Sequence, residues 1–345
     1  MNIAIVSFTA AGAQLSVKTS EILRNAGHRT ELYSTKELSA IYNITAFHPD
    51  IRTWTGDHFC TEDALLFIGA CGIAVRAIAP WVKGKDKDPA VIVLDEAAKF
   101  VIPILSGHIG GANELSRKLA VWLSSTAVIT TASDVNAKFA VDEWAVNHGM
   151  HIVNIKGIKA ITAALLKGTS VGLRSVLPID GNLPEGIEFL QSEECGICIS
   201  YNKDDKPFRQ TLNLIPKNIV IGVGCKKGTS GIAVETAVLA ELDKAGLPIE
   251  SAAKVCSVDL KKEEAGILAF CEKYAIPFET YSADELNRTP GDYPPSDFVH
   301  SITGTDNVCQ RAAAAGSQNG TIISEKQCYD GVTVALAKAF GRIKF

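Results

Sequence analysis

Asn2-Ile3-Ala4-Ile5-Val6 is followed by an amphipathic stretch over residues 15–26, which Gly27 closes, and then by a second apolar run over residues 30–33. A short buried strand, a glycine-ended helix and another strand form the βαβ unit of a mostly parallel sheet. The rhythm recurs. Residues 64–68, 90–94 and 127–131 are continuous apolar or β-branched runs bounded by Gly, Pro or Asp, the pattern of strands buried on both faces. Residues 100–105 make a further short run whose Pro103 predicts an edge or a strand end, because proline has no N–H for the ladder. Asn113 is placed to cap a helix over 114–123.

After residue 149 the composition changes. Gly168, Gly172, Pro178, Gly181, Pro184, Gly186 and Gly196 interrupt short runs, which predicts a small, loop-rich middle segment. The polar stretch 201–209 and Pro216 mark a boundary, beyond which 218–224 opens a new strand–loop–helix unit. Its helix carries Val234, Val238 and Leu242 and stops at Gly246-Leu247-Pro248. A strand at 253–258, a helix at 263–273 and a last helix at 332–340 complete the expectation. The fold class is therefore α/β: an N-terminal, mostly parallel α/β sandwich over 1–135, a small middle domain over 136–216 and a C-terminal α/β domain over 217–345.

The 345 residues are 47% hydrophobic and 21% charged, with a formal net charge of −4. That is a globular composition without the basic stripe nucleic acid demands, so no nucleic-acid partner is expected. Nine cysteines, an odd number scattered from Cys60 to Cys328, fit reduced thiols in a cytoplasm better than a disulfide scaffold. The N-terminal run lacks a basic flank and turns polar at Ser7, so it reads as a first strand rather than a signal peptide. No apolar run approaches the roughly 20 residues of a spanning helix, and no membrane role is expected.

The densest group of candidate residues is Leu105-Ser106-Gly107-His108-Ile109-Gly110-Gly111-Ala112-Asn113-Glu114. Gly107, Gly110 and Gly111 let the backbone approach a ligand, the following helix start offers amides to an anion or oxyanion, and His108 can act as base or donor. A tight structural turn with a locally bonded histidine fits the same residues. Gly69-Ala70-Cys71-Gly72-Ile73-Ala74-Val75-Arg76 follows the 64–68 strand, placing Gly72 and Arg76 at a carboxyl edge, where open α/β sheets bind ligands. Arg76 suits a carboxylate or equally an ordinary helix surface. Asp95-Glu96 closes the 90–94 strand and can orient His108 or activate water; acids there are also common turn residues, and Asp134 is similar.

Gly222-Val223-Gly224-Cys225-Lys226-Lys227-Gly228-Thr229-Ser230 follows a strand, but its third glycine comes one residue late for a dinucleotide turn, and Lys227 stands outside a Walker motif. General anion capture by amides, Lys226 and Lys227 remains, with Thr229 or Ser230 capping the helix; the alternative is a solvated loop. Cys195-Gly196-Ile197-Cys198 lacks a second pair and reads as core. The remaining histidines are isolated, and no protein-bound metal is expected.

Phe67 to Pro80, Lys85, residues 88–91 and 93–96, and the stretch 104–114 together resemble the N-terminal region of the cobalt-precorrin-5A hydrolase (CbiG) family of anaerobic cobalamin biosynthesis. Residues 222–230 and 257–264 resemble the family's C-terminal domain, which also occurs separately as CobE. The resemblance implies an enzyme that opens the δ-lactone formed by the ring A acetate of cobalt-precorrin-5A and releases a fragment as acetaldehyde, giving cobalt-precorrin-5B. It implies no cofactor beyond the cobalt carried by the tetrapyrrole substrate. In this chemistry His108, oriented by Asp95 or Glu96, activates water, amides near Gly110 and Gly111 stabilise the oxyanion, and Arg76, Lys226 and Lys227 hold peripheral carboxylates. Gly72, Gly107, Asn113, Glu114, Thr229 and Ser230 complete the expected substrate-binding set.

One departure is Gln310, where the family pattern suggests an acid. Two rival readings are a non-catalytic corrinoid carrier of the same pathway and a nucleotide-dependent enzyme, the latter opposed by the glycine spacings. The sequence is compatible with a homodimer and with transient contact with neighbouring pathway enzymes.

Overall fold

Strand β1 (Asn2–Ser7) shows how the first sheet is buried. Ile3 and Ile5 join one core, with Leu23, Leu66, Ile92, Leu115 and Leu119, while Ala4 and Val6 join the other, with Trp54, Phe59, Phe67 and Val93. Successive strand residues face opposite sides, so a continuous apolar run needs a cover on each face. Helices α1 (Ala10–Asn25), α2 (Lys36–Tyr42), α3 (Ile51–Phe59), α4 (Cys71–Ile78) and α5 (Ala112–Leu123) follow in chain order, α1 and α5 supplying one core and α3 and α4 the other.

The computed structural model describes residues 1–84, 87–136, 138–189, 194–318 and 320–345. They form two compact units, Met1–Glu143 and Trp144–Phe345. In the first, β2 (Arg29–Ser34), β3 (Thr45–Ala46), β4 (Ala64–Ile68), β5 (Ala90–Leu94), β6 (Phe100–Leu105) and β7 (Thr126–Ala127) join β1 in the order β3-β2-β1-β4-β5-β6-β7. Every neighbouring pair is parallel except β5–β6, whose register runs Val91↔Leu105 to Leu94↔Val101. Pro103 needs no donor partner on its far side, because β7 pairs with β6 only at Phe100 and Val101. Two short helices, α6 (Ala132–Val135) and α7 (Val141–Asn147), follow, and the division between units falls inside α7.

In the second unit, β8 (Met150–Ile152), helix α8 (Ile155–Leu166), β9 (Val171–Ser175), β10 (Ile179–Asp180), β11 (Ile187–Glu188), β12 (Cys195–Ile199) and β13 (Gln210–Pro216) come first. They build a five-stranded sheet in the order β11-β9-β12-β13-β8, parallel except for β8, while β10 pairs with β19 (Ile343–Lys344). Next come β14 (Ile219–Cys225), α9 (Gly231–Lys244), β15 (Ala252–Val258), α10 (Ala265–Tyr274), β16 (Phe278–Tyr281), α11 (Ala283–Arg288), α12 (Asp297–Thr303), α13 (Val308–Gly316), β17 (Thr321–Tyr329) and β18 (Val332–Lys338), giving the sheet order β16-β15-β14-β18-β17. Helices α9 and α10 cover one face and α13 the other. Gly222 seats α13: a Cβ there would stand 1.8 Å from the Cys309 carbonyl oxygen.

Three expectations are corrected. The strand expected over 127–131 is only the two-residue β7, and Asn113 lies inside the first turn of α5 rather than capping it, the residue before the helix being Gly111. Residues 332–338 form strand β18, not a helix, because Val332, Val334 and Leu336 alternate into the α9–α10 core while Ala335 and Ala337 face α13. No helix among the described residues is long and apolar enough to cross a membrane.

Candidate active site

The antiparallel β5–β6 step decides where the chemistry lies. β5 ends at Leu94 and is followed by Asp95, whose Oδ1 accepts from Ala97 N–H and whose Oδ2 accepts from Phe100 N–H, so this acid closes the hairpin. β6 then runs back the length of β5, roughly 16 Å for five residues, before the glycine-rich loop begins. Asp95 and Glu96 therefore sit at one edge of the sheet and His108 at the other. The expected orientation of His108 by Asp95 or Glu96 is corrected on this ground; Glu96 instead accepts from Thr9 Oγ1 at 2.6 Å.

At its own edge His108 lies between two other carboxylates. Nε2 is 2.9 Å from Asp134 Oδ2 of α6, and Nδ1 is 3.0 Å from Asp142 Oδ1 of α7. Asn113 Nδ2 donates to Thr131 Oγ1 at 3.0 Å and to Asp134 Oδ2 at 3.2 Å. Arg117 donates to Asp134 and, at 2.9 Å, to Glu143. The loop is shaped for this group. Ser106 takes a left-handed conformation (φ 55°) and donates its hydroxyl to the Asp88 carbonyl at 2.9 Å, while a Cβ at Gly107 would stand 2.8 Å from Asn113 Oδ1. Gly110 packs against Ser106 and the Ala90 amide, and Gly111 (φ 80°) precedes α5.

The imidazole is largely buried, with 12% of its side chain exposed, and Asp142 is more so at 6%. Burial alone would lower the His108 pKa, but hydrogen bonding and charge from Asp142 and Asp134 outweigh it and push the value up to about 9. At neutral pH the group is an imidazolium donating to two carboxylates. It suits a proton donor or an electrostatic partner for a developing oxyanion, not the general base expected from sequence. His108, Asp134 and Glu143 each offer a donor atom within 4.8 Å of the others, the span of a small-cation site. Arg117 bridges the same two carboxylates and already compensates their charge.

Of the amides expected near Gly110 and Gly111 as oxyanion donors, those of the helix start are already used. Gly111 N–H donates to the His108 carbonyl, Ala112 N–H to Ser106 and Asn113 N–H to Gly107. Glu114 pairs with Lys118 one turn along α5. On the opposite edge, the Arg76 guanidinium folds back over the first turn of α4, so that a Cβ at Gly72 would lie 3.4 Å from its Nη2; Arg76 has no ion-pair partner among the described residues. Gly72 and Arg76 thus stand together, apart from His108. Lys85 lies outside the described residues.

In the second unit Lys226 and Lys227 are exposed, Thr229 Oγ1 donates to the Lys226 carbonyl, and Ser230 Oγ caps α9 by accepting from Ala233 N–H. Gly228 N–H is not open to an external anion, since it donates to Glu264 Oε1 at 2.7 Å and Glu264 is also held by Lys261 at 2.9 Å. Burial raises the Glu264 pKa, but Lys261 and the Gly228 amide outweigh it and hold the carboxyl below its usual range. Gln310 is buried, accepting at Oε1 from Asn307 Nδ2 at 2.7 Å in the cap of α13. Cys195 and Cys198 are buried on β12 with thiols raised by burial, and none of the nine cysteines is disulfide-bonded.

Sequence reasoning singled out Asp134 only as one more acid after a strand and did not identify Asp142. Residues 26 and 34 positions apart from His108 carry no local spacing signal; only the return of the chain through α6 and α7 reveals them.

Models of the family regions match three consecutive parts of the chain: "Cobalamin synthesis G N-terminal" over 53–134, "Cobalamin biosynthesis central region" over 139–216 and "Cobalamin synthesis G C-terminus" over 219–337. A cobalt-precorrin-5A hydrolase of Salmonella typhimurium is 34% identical over 299 residues, covering 81% of this chain and 83% of that protein. One from Priestia megaterium is 30% identical over 352 residues, covering 97% and 94%. Protein CobE of a Sinorhizobium species is 33% identical over 123 residues, covering 34% of this chain and 79% of that protein. The chain therefore belongs to the cobalt-precorrin-5A hydrolase family.

Proposed function

We propose that this chain hydrolyses cobalt-precorrin-5A, with the His108 network as its acid–base centre. The observation that carries the activity is the similarity over nearly the whole chain to relatives named for it. Water adds across the acyl–oxygen bond of the lactone, giving the free ring A acetate and an alcohol on the fragment to be lost. Cleavage of the carbon–carbon bond then releases acetaldehyde, the electron pair passing to the corrinoid, which takes up a proton at that carbon. One water is consumed and one aldehyde leaves.

His108, held protonated, donates to the oxygen that becomes anionic as the lactone opens; Asp134 and Asp142 fix its orientation. Arg76, which has no ion-pair partner among the described residues, is a cation for a carboxylate on the macrocycle rim, and separately the exposed Lys226 and Lys227 of the second unit offer a general anion site. The cobalt belongs to the substrate. Nine free thiols fit a reducing cytoplasmic compartment.

The test is turnover of cobalt-precorrin-5A by purified protein with an aldehyde trap. Multiple equivalents of acetaldehyde are expected, whereas stoichiometric binding without aldehyde identifies a carrier. His108→Ala should slow release by about 10²–10⁴. A near-normal rate removes His108 from the chemistry while leaving the activity in place.

A further inference from the structure

The sheet β11-β9-β12-β13-β8 is covered unequally. Helix α8 lies close on one face, where a Cβ at Gly157 would reach 3.0 Å from the Leu212 backbone. On the other face Phe208 packs directly over Gly172 and Gly196, whose Cβ atoms would stand 2.3 and 2.5 Å from its ring. Arg174, two residues beyond Gly172 on the same strand, projects on that second face by strand alternation.

Beside it opens a groove of about 640 Å³ walled by Leu173, Leu177, Ile179, Phe189 and Pro207, in which Arg174 is the only charged side chain among the described residues. The volume falls within the roughly 300–1,000 Å³ of small-molecule sites, which combine apolar walls with a few placed polar groups. Ser175 is committed to a turn, donating to the Leu177 carbonyl and accepting from its N–H. Arg174 has no ion-pair partner among the described residues, and Phe189 is 64% exposed. An aromatic face, aliphatic walls and one unpaired guanidinium complement a flat apolar ring system with carboxylates on its rim.

We infer that this groove is a corrinoid-binding site, in which Arg174 holds a peripheral carboxylate and Phe189 packs on the macrocycle. The choice of ligand rests on the corrinoid chemistry proposed above. It gives the middle segment a binding role of its own.

The test is equilibrium dialysis of the full chain against cobyrinic acid, a polycarboxylate cobalt corrinoid, followed by its visible absorbance. Arg174→Ala should bind about tenfold more weakly or worse, as loss of one charge-assisted hydrogen bond requires, and Arg174→Glu weaker still. Phe189→Ala should weaken binding independently. Both side chains are exposed, so thermal melting of the variants should match that of the parent. Cobinamide, whose side chains are amidated, should bind equally to parent and Arg174→Ala. Absence of binding by the parent, or unchanged affinity in the variants, overturns the site.

Acetaldehyde release measured on the same preparations separates the two readings. Turnover with Arg174-independent binding removes the groove and keeps the hydrolase. Arg174-dependent binding without turnover keeps the groove and removes the hydrolase.

Discussion

Asp142→Asn tests the electrostatics of the His108 network. Asp142 is nearly buried and lies 3.0 Å from His108 Nδ1. A hydrogen bond to a charged partner contributes about 1.5–3 kcal/mol, or about 1–2 pKa units at 1.36 kcal/mol per unit. The substitution should therefore bring His108 from about 9 down to about 7–8. Stability should respond with a defined sign. The folded pKa lies above the unfolded 6.5, so the folded state holds the proton more tightly; its contribution is complete below pH 6.5 and is lost as pH rises through about 9. With the imidazole in contact with solvent and part of the interaction screened, the loss across that window should be about 1–3 kcal/mol. Urea unfolding between pH 6 and 10, with NMR titration of the His108 ring assigned through His108→Gln, measures both quantities. In Asp142→Asn the window should narrow and the pH-dependent loss shrink. A parent His108 titrating near 6.5, or an unchanged value in the variant, would refute the reasoning.

Three further outcomes follow from the geometry. Asp95→Ala removes two turn hydrogen bonds and should cost about 1–2 kcal/mol in urea unfolding with acetaldehyde release within about tenfold of the parent, whereas a hundredfold loss would return Asp95 to the chemistry. Gly107→Ala pushes on Asn113 at 2.8 Å and should lower Tm and weaken the Asn113–Asp134 contact, which His108 NMR shifts will register; an unchanged Tm and spectrum contradict the close approach. Gln310→Glu places a carboxylate in the buried cap of α13 and should destabilise the chain increasingly as pH rises above the carboxyl range, and pH-independent stability would show that the site tolerates charge.

Much of the architecture was legible because β1, β4 and β5 are apolar on both faces, and β4 and β5 are bounded by glycine, proline or acidic residues. Residues 332–338 were not, since a buried apolar run of that length reads as helix or strand until its neighbours are known, and here antiparallel pairing with β14 and β17 decides it. His108, Gly107 and Asn113 were identifiable as one loop. Their acidic partners were not, because Pro103 hinted at an edge while nothing local announced that β6 runs backwards. The cost of that one missing direction was the whole assignment of Asp95 and Glu96.

The reversed hairpin also acts as a ruler. Asp95 fixes the turn at one end, and six residues of β6 carry that position across the sheet to Ser106. A single inserted residue between Ala97 and Lys99 that slipped the strand would move the loop by about 3.3 Å and send Val101 and Ile102 into each other's cores on opposite faces of the sheet. Errors in a solvent-exposed turn would thus be transmitted at full amplitude to an imidazole it never touches, while errors in α4, on separate parallel strands, would not. Positional tolerance in this unit is set by connectivity rather than by nearness to His108.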